Sequence, residues 1–588
     1  MKKHVLLAVA LLLAVVPVFA ADSVTGSADA RFKGTGKADP IRVTNARLVA
    51  GSAAGQSAIT FDLAWDWSWR TAWEEPAERT GDPAPRKLES WDAAWVFAKI
   101  KKPGKAVWQH ATLTPDVSSH TVPSGASLEL GLSDTPDGGV TSGTRGIGAF
   151  IFRSAPGQGP NVWNGVTLTC ADVPADAEVR VFALPMVYVP SGAFWAGDGS
   201  TVTNRIKAQF SAGASTQPLR ITSEQGLTLG GTAEANLGNR DTLGMSPKTP
   251  DDFNSRFPQQ LADRYPKGYA AFYCMRTEIT QQQYVDFLNT LTYKQQAARM
   301  TDKPSSPAPK IAPVPGQVDA ANRRIQIATS GIADANEPLV IQRGTFTASG
   351  VVPKPGKPAV YKTSTPDVAC NSITFLDGAA YTAWAGLRPM TELEFEKACR
   401  GPLLPVPDEY AWGTAAIAGM AGNGGAYTLK NPGMPDEMAI WEGTGGPDAT
   451  HGNAPFDGTN GKLKSCPIRA GCFATPDSDR VRAGASYWGI LDLTGNLNEG
   501  LVSVGSSAAR TFAGNHGTGS EAPWTISFGM RGGGIPGSTH SKHWDINEGY
   551  RVSNRFAVNL AGCEGGEKSR HYAHGFRGVR TSQGKIEK

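Results

Sequence analysis

The stretch SITFLDGAAYTAWAGLRPMTELEFEKACRG (residues 372–401) places a helix start inside a sequence rich in glycine and other small residues. Thr391 and Glu394 stand three residues apart, which is the spacing of a capping box, in which both side chains accept hydrogen bonds from N–H groups left free at a helix start. Cys399 falls within the helical pattern and is expected to be a small buried apolar residue. The stretch therefore predicts a short, capped helix.

A second capped segment, TQQQYVDFLNTL (residues 280–291), lies upstream, and in it Thr280 and Gln283 repeat the capping-box spacing. Its apolar residues form one stripe at helical spacing: Tyr284, Phe287, Leu288 and Leu291. Between the two helices, at about residues 300–366, the run DKPSSPAPKIAPVPG and the residues after it predict a proline-rich surface insertion with a small hairpin outgrowth.

Upstream of residue 184 the sequence has the alternation of β-strands. In TFDLAWDWSW (residues 60–69) one face carries the large apolar side chains: Phe61, Leu63, Trp65, Trp67 and Trp69. Further short strands follow, separated by Gly, Pro and Asp turns, and this spacing is typical of a β-sandwich. Residues 21–183 are therefore predicted to form a Trp-rich, all-β sandwich domain.

Eight tryptophans fall in this predicted sandwich: Trp65, Trp67, Trp69, Trp73, Trp91, Trp95, Trp108 and Trp163. Their flat rings could stack on sugars, or they could build the sandwich core and its contact with the next domain. We favour the second interpretation, because a face of alternating tryptophans has to be buried somewhere.

The composition of the chain fits a packed protein with two or more domains, since 588 residues exceed what one hydrophobic core usually serves. The 68 glycines and 41 prolines indicate many turns and irregular connections. A net charge of +4, spread evenly, is too small to mark a nucleic-acid surface, so no nucleic-acid partner is expected.

The first twenty residues have the layout of a cleaved secretory signal peptide. Lys2 and Lys3 precede the apolar run VLLAVALLLAVVPVF, and the small residues Val18 and Ala20 predict cleavage after Ala20. An uncleaved membrane anchor is the alternative, but the run is short and contains Pro17. We expect an extracytoplasmic protein, periplasmic, cell-surface or secreted, with no transmembrane span after cleavage.

Export permits disulfides, and the chain has seven cysteines: Cys170, Cys274, Cys370, Cys399, Cys466, Cys472 and Cys563. The odd number leaves at least one thiol unpaired. Cys466 and Cys472 are close enough in sequence to bridge, and the absence of any C-x-x-C pair argues against a thiolate zinc site.

Seven pieces of the sequence occur in the order found in the formylglycine-generating enzyme (sulfatase-modifying factor) family. Besides residues 372–401, they are VYVPSGAFWAGDG, FYCMRTEITQQQYVDFLN, YAWG, YWGILDLTGNLNEG, RGGG and GFRGVR. The chain resembles this family over residues 184–581, with a tail at 582–588. The resemblance implies an α+β, C-type-lectin-like domain with little regular secondary structure, following the N-terminal sandwich.

The resemblance breaks at the family's catalytic cysteines, which hold copper as thiolates just after the glycine run. Here the corresponding positions fall near Gly537 and near Asn547, and neither is cysteine. Cys563 lies further along the chain, beyond RVSNR (residues 551–555), so copper binding and formylglycine generation are not expected. Membership of the family alone does not establish an activity.

Two histidines and an aspartate follow the glycine run, at His540, His543 and Asp545. They offer nitrogen and oxygen ligands for iron, zinc or copper, but the neighbouring Gly534, Pro536 and Ser538 indicate a loop, in which spacing does not bring ligands together. Exposed loop histidines are the favoured alternative. Nothing resembles the helical-bundle domain whose three histidines bind iron in other family members.

The family's GNVWEW motif, which builds a calcium site, corresponds here to TGNLNEG, with Asn498 and Gly500 in place of its tryptophans. The resemblance implies calcium ligands at four positions: Thr494, Gly495, Leu497 and Glu499. The alternative is that Gly495 only forms the turn while Glu499 accepts a hydrogen bond.

Four arginines also match family positions, and their expected role is architectural, because one guanidinium can tie several loops together: Arg531, Arg551, Arg555 and Arg577. The motif GFRGVR predicts the last core strand, with Phe576 and Val579 packed inward.

Three functions remain open at this point. The first is a non-catalytic binding or scaffold protein that takes a glycan, peptide or protein ligand at a polar rim: His540, His543, Trp544, Asp545 and Asn547. The second is a periplasmic enzyme of altered, metal-dependent oxidative or maturation chemistry. The third is a structural component of a surface assembly, with the Trp-rich sandwich as its interface.

Overall fold

The computed structural model describes most of the chain. The described residues are 27–51, 56–77, 86–133, 144–171, 173–201, 208–242, 245, 248–308, 310–311, 325–343, 346–418, 425–455, 467–521, 524, 526–534, 549–560 and 570–584. The predicted signal peptide lies outside them. Within these ranges, no helix has the length and apolar character needed to cross a membrane.

An eleven-stranded sheet runs through both halves of the chain, in the order β1-β2-β3-β8-β15-β29-β21, with β4, β5, β6 and β7 paired beside this path. Its strands are β1 (Arg42–Ala50), β2 (Ser57–Glu75), β3 (Arg86–Lys101), β4 (Gln109–His110), β5 (Ala126–Ser133), β6 (Arg145–Arg153), β7 (Gly157–Cys170), β8 (Glu178–Val189), β15 (Phe272–Met275), β21 (Arg388–Pro389) and β29 (Gly578–Thr581).

Strand β3 is buried on both faces. Val96 and Ile100 point to a core formed with β2, β5 and β7, whereas Trp95 and Phe97 point to the core of the C-terminal half. Trp95 Nε1 donates a hydrogen bond to the Ala385 carbonyl at 2.7 Å, and so ties β3 to the end of a C-terminal helix. A strand with apolar residues on both faces needs a packing layer on each side.

The predicted boundary at residues 183 and 184 falls inside β8 and does not separate two sheets. One edge of β8 pairs with β3, as Leu184 does with Trp95, and the other pairs with β15, as Tyr188 does with Tyr273. The predicted sandwich and the family-like domain therefore share one hydrogen-bonded sheet, because β8 is long enough to pair with strands of both.

The tryptophans predicted to share one face of β2 pack in two different cores. Trp65 is buried in the N-terminal core, whereas Trp67 and Trp69 pack in a core formed with the C-terminal half. The pairing register of β2 with β7 shifts between Trp65 and Ser68, and a shift of one residue moves side chains to the opposite face. The carboxylate of Asp39 accepts hydrogen bonds from the N–H groups of Asp66 and Trp67, both at 2.7 Å, at this irregular point.

The interpretation of the tryptophans as core and contact residues is confirmed. Five of the eight are buried: Trp65, Trp69, Trp91, Trp95 and Trp163. Trp91 stacks on Tyr188 of β8, with ring centroids 3.9 Å apart, at the join between the halves. These rings are therefore not free to stack on sugars.

Short helices pack on the C-terminal side of the sheet: α1 (Gln281–Leu288), α2 (Tyr293–Arg299), α3 (Phe375–Trp384), α4 (Glu392–Arg400) and α5 (Ser507–Arg510). Both predicted capping boxes are present, at Thr280 with Gln283 and at Thr391 with Glu394. The predicted stripe of α1 and Cys399 of α4 are buried. Hydrogen bonds between residues three apart therefore fix where these helices begin.

The remaining strands form small sheets in the C-terminal half: β9 (Phe194–Ala196), β10 (Ser211–Ala212), β11 (Leu219–Ile221), β12 (Leu227–Leu229), β13 (Leu237–Gly238), β14 (Gln259–Leu261), β16 (Lys310–Ile311), β17 (Ile325–Thr329), β18 (Ala335–Arg343), β19 (Phe346–Lys354), β20 (Val360–Thr363), β22 (Ala416–Ile417), β23 (Gly425–Lys430), β24 (Met438–Gly443), β25 (His451–Gly452), β26 (Asn498–Val502), β27 (Phe528–Arg531) and β28 (His574–Gly575). The antiparallel pair β18 and β19 confirms the hairpin predicted in the insertion.

We expect Trp95→Ala to lower the free energy of unfolding of the whole chain by about 3–5 kcal/mol, because it empties the contact between the two halves. The half-buried Trp108 packs against Arg180 on the rim of the N-terminal part, so Trp108→Ala is the matched control and should cost only about 1 kcal/mol. Calorimetry should show one transition that moves as a unit. Two separate transitions, with only one shifted by Trp95→Ala, would contradict a shared core.

Candidate functional site

The five predicted rim residues, His540, His543, Trp544, Asp545 and Asn547, lie in residues 535–548, outside the described part of the chain. The structure describes the base from which this segment departs. There Gly532 and Gly533 have φ values of 85° and 69°, and a Cβ on Gly533 would lie 2.4 Å from the Tyr550 ring. Both positions therefore require glycine.

The two ends of the 535–548 segment leave the described fold side by side. The Tyr550 hydroxyl donates a hydrogen bond to the Gly534 carbonyl at 2.6 Å, so the last residue before the segment touches the second residue after it. A segment closed at its base in this way can vary in sequence without disturbing the strands beneath it.

Beneath the glycine turn, β26 pairs with β27 on one side and β28 on the other. Gly500, at a position where the family has tryptophan, leaves no room for a side chain, because a Cβ there would lie 2.4 Å from Phe375 and 3.0 Å from Phe576. Phe375 stacks on His574 with ring centroids 4.6 Å apart. The rings of Phe375 from α3 and His574 from β28 thus fill the space next to Gly500.

A second imidazole, His571, has its ring centroid 5.0 Å from that of His574. His571 and His574 were not among the site residues predicted from the sequence, although they form an H-x-x-H spacing just before GFRGVR. Their position beside β26 and the glycine turn could be known only from the fold, since they lie about 40 residues beyond the glycine turn and about 70 residues beyond β26 in sequence.

Two guanidiniums under the turn share one carboxylate. Arg531 Nη2 lies 3.1 Å from Glu392 Oε1, and Arg555 Nη2 lies 3.1 Å from Glu392 Oε2. Arg555 also binds Asp251 at 2.6 Å. Burial by itself would raise the pKa of Glu392, but Arg555 and then Arg531 outweigh it, and the pKa lies below its usual value.

The predicted architectural role of the four arginines is confirmed. Arg531, Arg555 and Arg577 are buried with carboxylate partners from distant segments, and Arg551 binds Asp408. The partners are mostly acids rather than loop carbonyls alone. The inward packing predicted for Phe576 and Val579 is also confirmed.

The four predicted calcium ligands lie directly against the glycine turn. Gly495 N–H donates to the Gly532 carbonyl at 2.8 Å, and Leu497 is buried beneath Gly575. The Thr494 hydroxyl accepts from the Ala411 N–H at 3.1 Å and donates to the Tyr550 carbonyl at 3.3 Å. The fold therefore brings residues 494–499 against the glycine turn, which the sequence did not predict.

The donor set at this point does not fit a calcium ion. Arg577 Nε lies 2.8 and 2.7 Å from the two carboxylate oxygens of Glu499, and Arg577 Nη2 adds a contact of 2.5 Å. Calcium needs six to eight oxygen ligands, with carboxylate charge to balance its own. Here a guanidinium already neutralises the carboxylate, so the alternative role of Glu499 as a hydrogen-bond acceptor is the better description.

Two further acids are buried beside this pair. Burial, then the charge of Asp492, raises the pKa of Glu278 well above its usual value, and burial also raises the pKa of Asp492. The raised pKa of Glu278 favours its neutral form, which would relieve the repulsion of three carboxyl groups around Arg577. Among the described residues, no three His, Cys, Asp or Glu side chains are placed to hold a metal ion.

The cysteines in the described ranges are buried, free thiols: Cys170, Cys274, Cys370, Cys399 and Cys472. Burial raises the pKa of Cys170 and of Cys274 to about 12, and it raises the pKa of the other three as well. The bridge predicted between Cys466 and Cys472 stays a prediction, because one of its two partners is not described. Cys466 and Cys563 lie outside the described residues.

Comparison with known proteins gives a family and two local relatives. Residues 216–580 match the family described as "Sulfatase-modifying factor enzyme 1-like domain". A hercynine oxygenase of Mycolicibacterium thermoresistibile is 35% identical over 96 residues, and one of Mycolicibacterium smegmatis is 34% identical over 95 residues. Each match covers 14% of this chain and 22% of the relative, so the chain spans about a fifth of the length of these relatives.

We expect Glu499→Gln to lower the free energy of unfolding by about 3–5 kcal/mol, because it leaves the buried Arg577 without a counter-charge. Glu278→Gln replaces an acid whose raised pKa favours the neutral form and should cost much less, which makes it the matched control. Urea unfolding measures both. Addition of EGTA should not move the unfolding midpoint of the unmodified chain, and a midpoint that fell on chelation would show that calcium stabilises this turn.

Proposed function

The chain belongs to the sulfatase-modifying factor enzyme 1-like family, and from this premise we propose that it is an exported, non-catalytic ligand-binding or scaffold protein. In this proposal it keeps the family's fold and its buried arginine contacts, and it does not generate formylglycine. The export part rests on the signal-like residues 1–20.

The chemistry of the thiols carries the proposal. A copper centre of the family's kind needs two soft thiolate donors just after the glycine run, where this chain has Gly537 and Asn547. The five described thiols have pKa values raised by burial, so each stays protonated near neutral pH. They are packing residues of the cores and are not available as ligands.

The base of the 535–548 segment supports a binding role. Buried ion pairs and the Tyr550 hydrogen bond hold that base, whereas the segment itself carries rings, an acid and an amide: His540, His543, Trp544, Asp545 and Asn547. Such side chains suit a polar ligand, a glycan, peptide or protein of the periplasm or cell surface, since they combine flat apolar faces with hydrogen-bonding groups.

The third function considered from the sequence, a Trp-rich external interface, is not favoured. Trp65, Trp91 and Trp95 are buried inside the molecule, and among the described residues of the N-terminal half only Trp67, Trp73 and Trp108 are half-buried.

A metal-dependent enzyme is the second candidate, and one observation favours it. His571 and His574 lie with ring centroids 5.0 Å apart beside the glycine turn, to which the segment containing His540 and His543 is attached. Imidazole nitrogens suit iron, copper or zinc. In that case the mature chain would be purified with one equivalent of such a metal, and His571→Ala and His540→Ala would each release it.

The proposed function predicts no oxidase activity. The reduced mature chain, supplied with copper(I) and dioxygen, should form no aldehyde in a cysteine-containing peptide, as checked by mass spectrometry. A copper-loaded family oxidase run in parallel verifies the assay. Formation of an aldehyde by the unmodified chain would end the proposal.

Binding is tested by replacing the rim. The variant His543→Ala, Trp544→Ala should lose retention on an envelope glycan or peptide array at least about tenfold, if each lost contact contributes a typical amount. Val162→Ala changes an exposed apolar residue of β7 and should keep full retention. Equal retention by all three proteins, with equal unfolding midpoints, would show that the rim does not bind.

A further inference from the structure

A cavity of about 340 Å³ opens between the N-terminal residues 34–41, β8, α1 and residues 469–474. Its wall includes Trp67, Arg276, Asp286 and Asp367. None of the residues discussed at the glycine turn lines it. A volume above 300 Å³ with a few converging polar groups is typical of a small-molecule site.

The N-terminal wall of the cavity is fixed by backbone hydrogen bonds. Gly34 N–H donates to the Thr475 carbonyl and Gly36 N–H to the Ala474 carbonyl, both at 3.2 Å, and Ala38 N–H donates to the Pro435 carbonyl at 2.7 Å. Residues 34–38 thus cross from the N-terminal half to the C-terminal half. The cavity is therefore preformed and needs no closure by a ligand.

Three acids of the wall keep raised pKa values although a cation acts on each: Arg180 on Asp286, Arg276 on Asp39, and Arg469 on Asp367. Asp286 accepts one hydrogen bond, from Gln282 Nε2 at 2.8 Å, and burial raises its pKa to about 6. Burial also raises the pKa of Asp39 and of Asp367. Arg469 on the same wall donates to the carbonyls of Glu437, Gly36 and Cys472, which leaves less of its donor capacity for an acid.

Arg276 faces the same cavity with a donor to spare. Its Nη2 donates to the Lys33 carbonyl at 2.9 Å, whereas its Nε is buried and has no partner among the described residues. A buried N–H without an acceptor is costly, so it points to an acceptor that a ligand would supply. The wall therefore offers a carboxylate for a cation and a guanidinium for an oxygen acceptor.

We propose that this cavity binds a small molecule of the chemistry of a basic amino acid, with its cationic group at Asp286 and a carboxylate or carbonyl oxygen at Arg276. Trp67 supplies an aromatic wall against which the methylene groups and the cation pack. The site is separate from the glycine turn, so this proposal does not rest on the proposed function above.

Three probes separate the two ends of the ligand in calorimetric titrations of the full mature chain. L-lysine carries both groups, cadaverine only the cations, and hexanoate only the carboxylate. We expect saturable binding of L-lysine, weaker binding of cadaverine, and none of hexanoate. Asp286→Asn should weaken L-lysine and cadaverine by at least about tenfold, the loss of one charge-assisted hydrogen bond. Arg276→Met should weaken L-lysine alone.

The matched control is Asp176→Asn, which changes an exposed aspartate in the turn before β8 and should leave L-lysine binding unchanged. Unfolding midpoints of all variants check the fold. The proposal is overturned if L-lysine shows no saturable binding at millimolar concentration, if Asp286→Asn binds it as tightly as the unmodified chain, or if Arg276→Met weakens cadaverine as much as L-lysine.

The pH dependence gives a test without substitution. Cadaverine binding should weaken as the pH falls from 7 to 5, because Asp286, whose pKa is about 6, loses its charge in that interval. Asp39 and Asp367 face the same space, and their raised pKa values act in the same direction. The basic side chains at or near the cavity are Lys37, Arg180, Arg276 and Arg469. A flat profile would contradict the proposal.

Discussion

Strand β3 is buried on both faces, and the arrangement of the two halves follows from that. Val96 and Ile100 pack in the N-terminal core, and Trp95 and Phe97 pack in the C-terminal core. Exposure of either face of the strand to water would therefore lose much buried apolar surface. β8 then carries the sheet into the C-terminal half through its pairing with β15. The N-terminal part is therefore a packing layer for the family domain as well as an addition to it.

Buried ion pairs connect the irregular loops to one another, as β3 connects the strands of the two halves. A fold with few long helices leaves many irregular segments, and here Arg531, Arg555 and Arg577 bind acids that come from distant parts of the chain. Removing each of these charges from water is unfavourable, and the opposite charge of its partner offsets that cost. At Glu499 this arrangement also decides the chemistry, since a guanidinium stands where a divalent cation would need the carboxylate.

The two ligand sites that we propose lie at separate places on this fold. One is the segment that leaves the glycine turn beside Tyr550, where the family would have its copper thiolates and this chain has none. The other is the cavity beneath the N-terminal residues, where Asp286 and Arg276 face one space. The first uses the family's own surface, whereas the second exists because the N-terminal half packs against α1.

The sequence by itself determined whatever depends on near neighbours: the capping boxes at Thr280 and Thr391, the buried stripe of α1, and the loss of the cysteine pair. The order of the motifs also identified the family. The tertiary structure alone decided that Trp65 and Trp69 enter different cores, that β8 joins both halves, and that Arg577 takes Glu499. The physical reason is that strand pairing and ion pairing join residues far apart in the chain, and no local spacing records which distant partner each will meet.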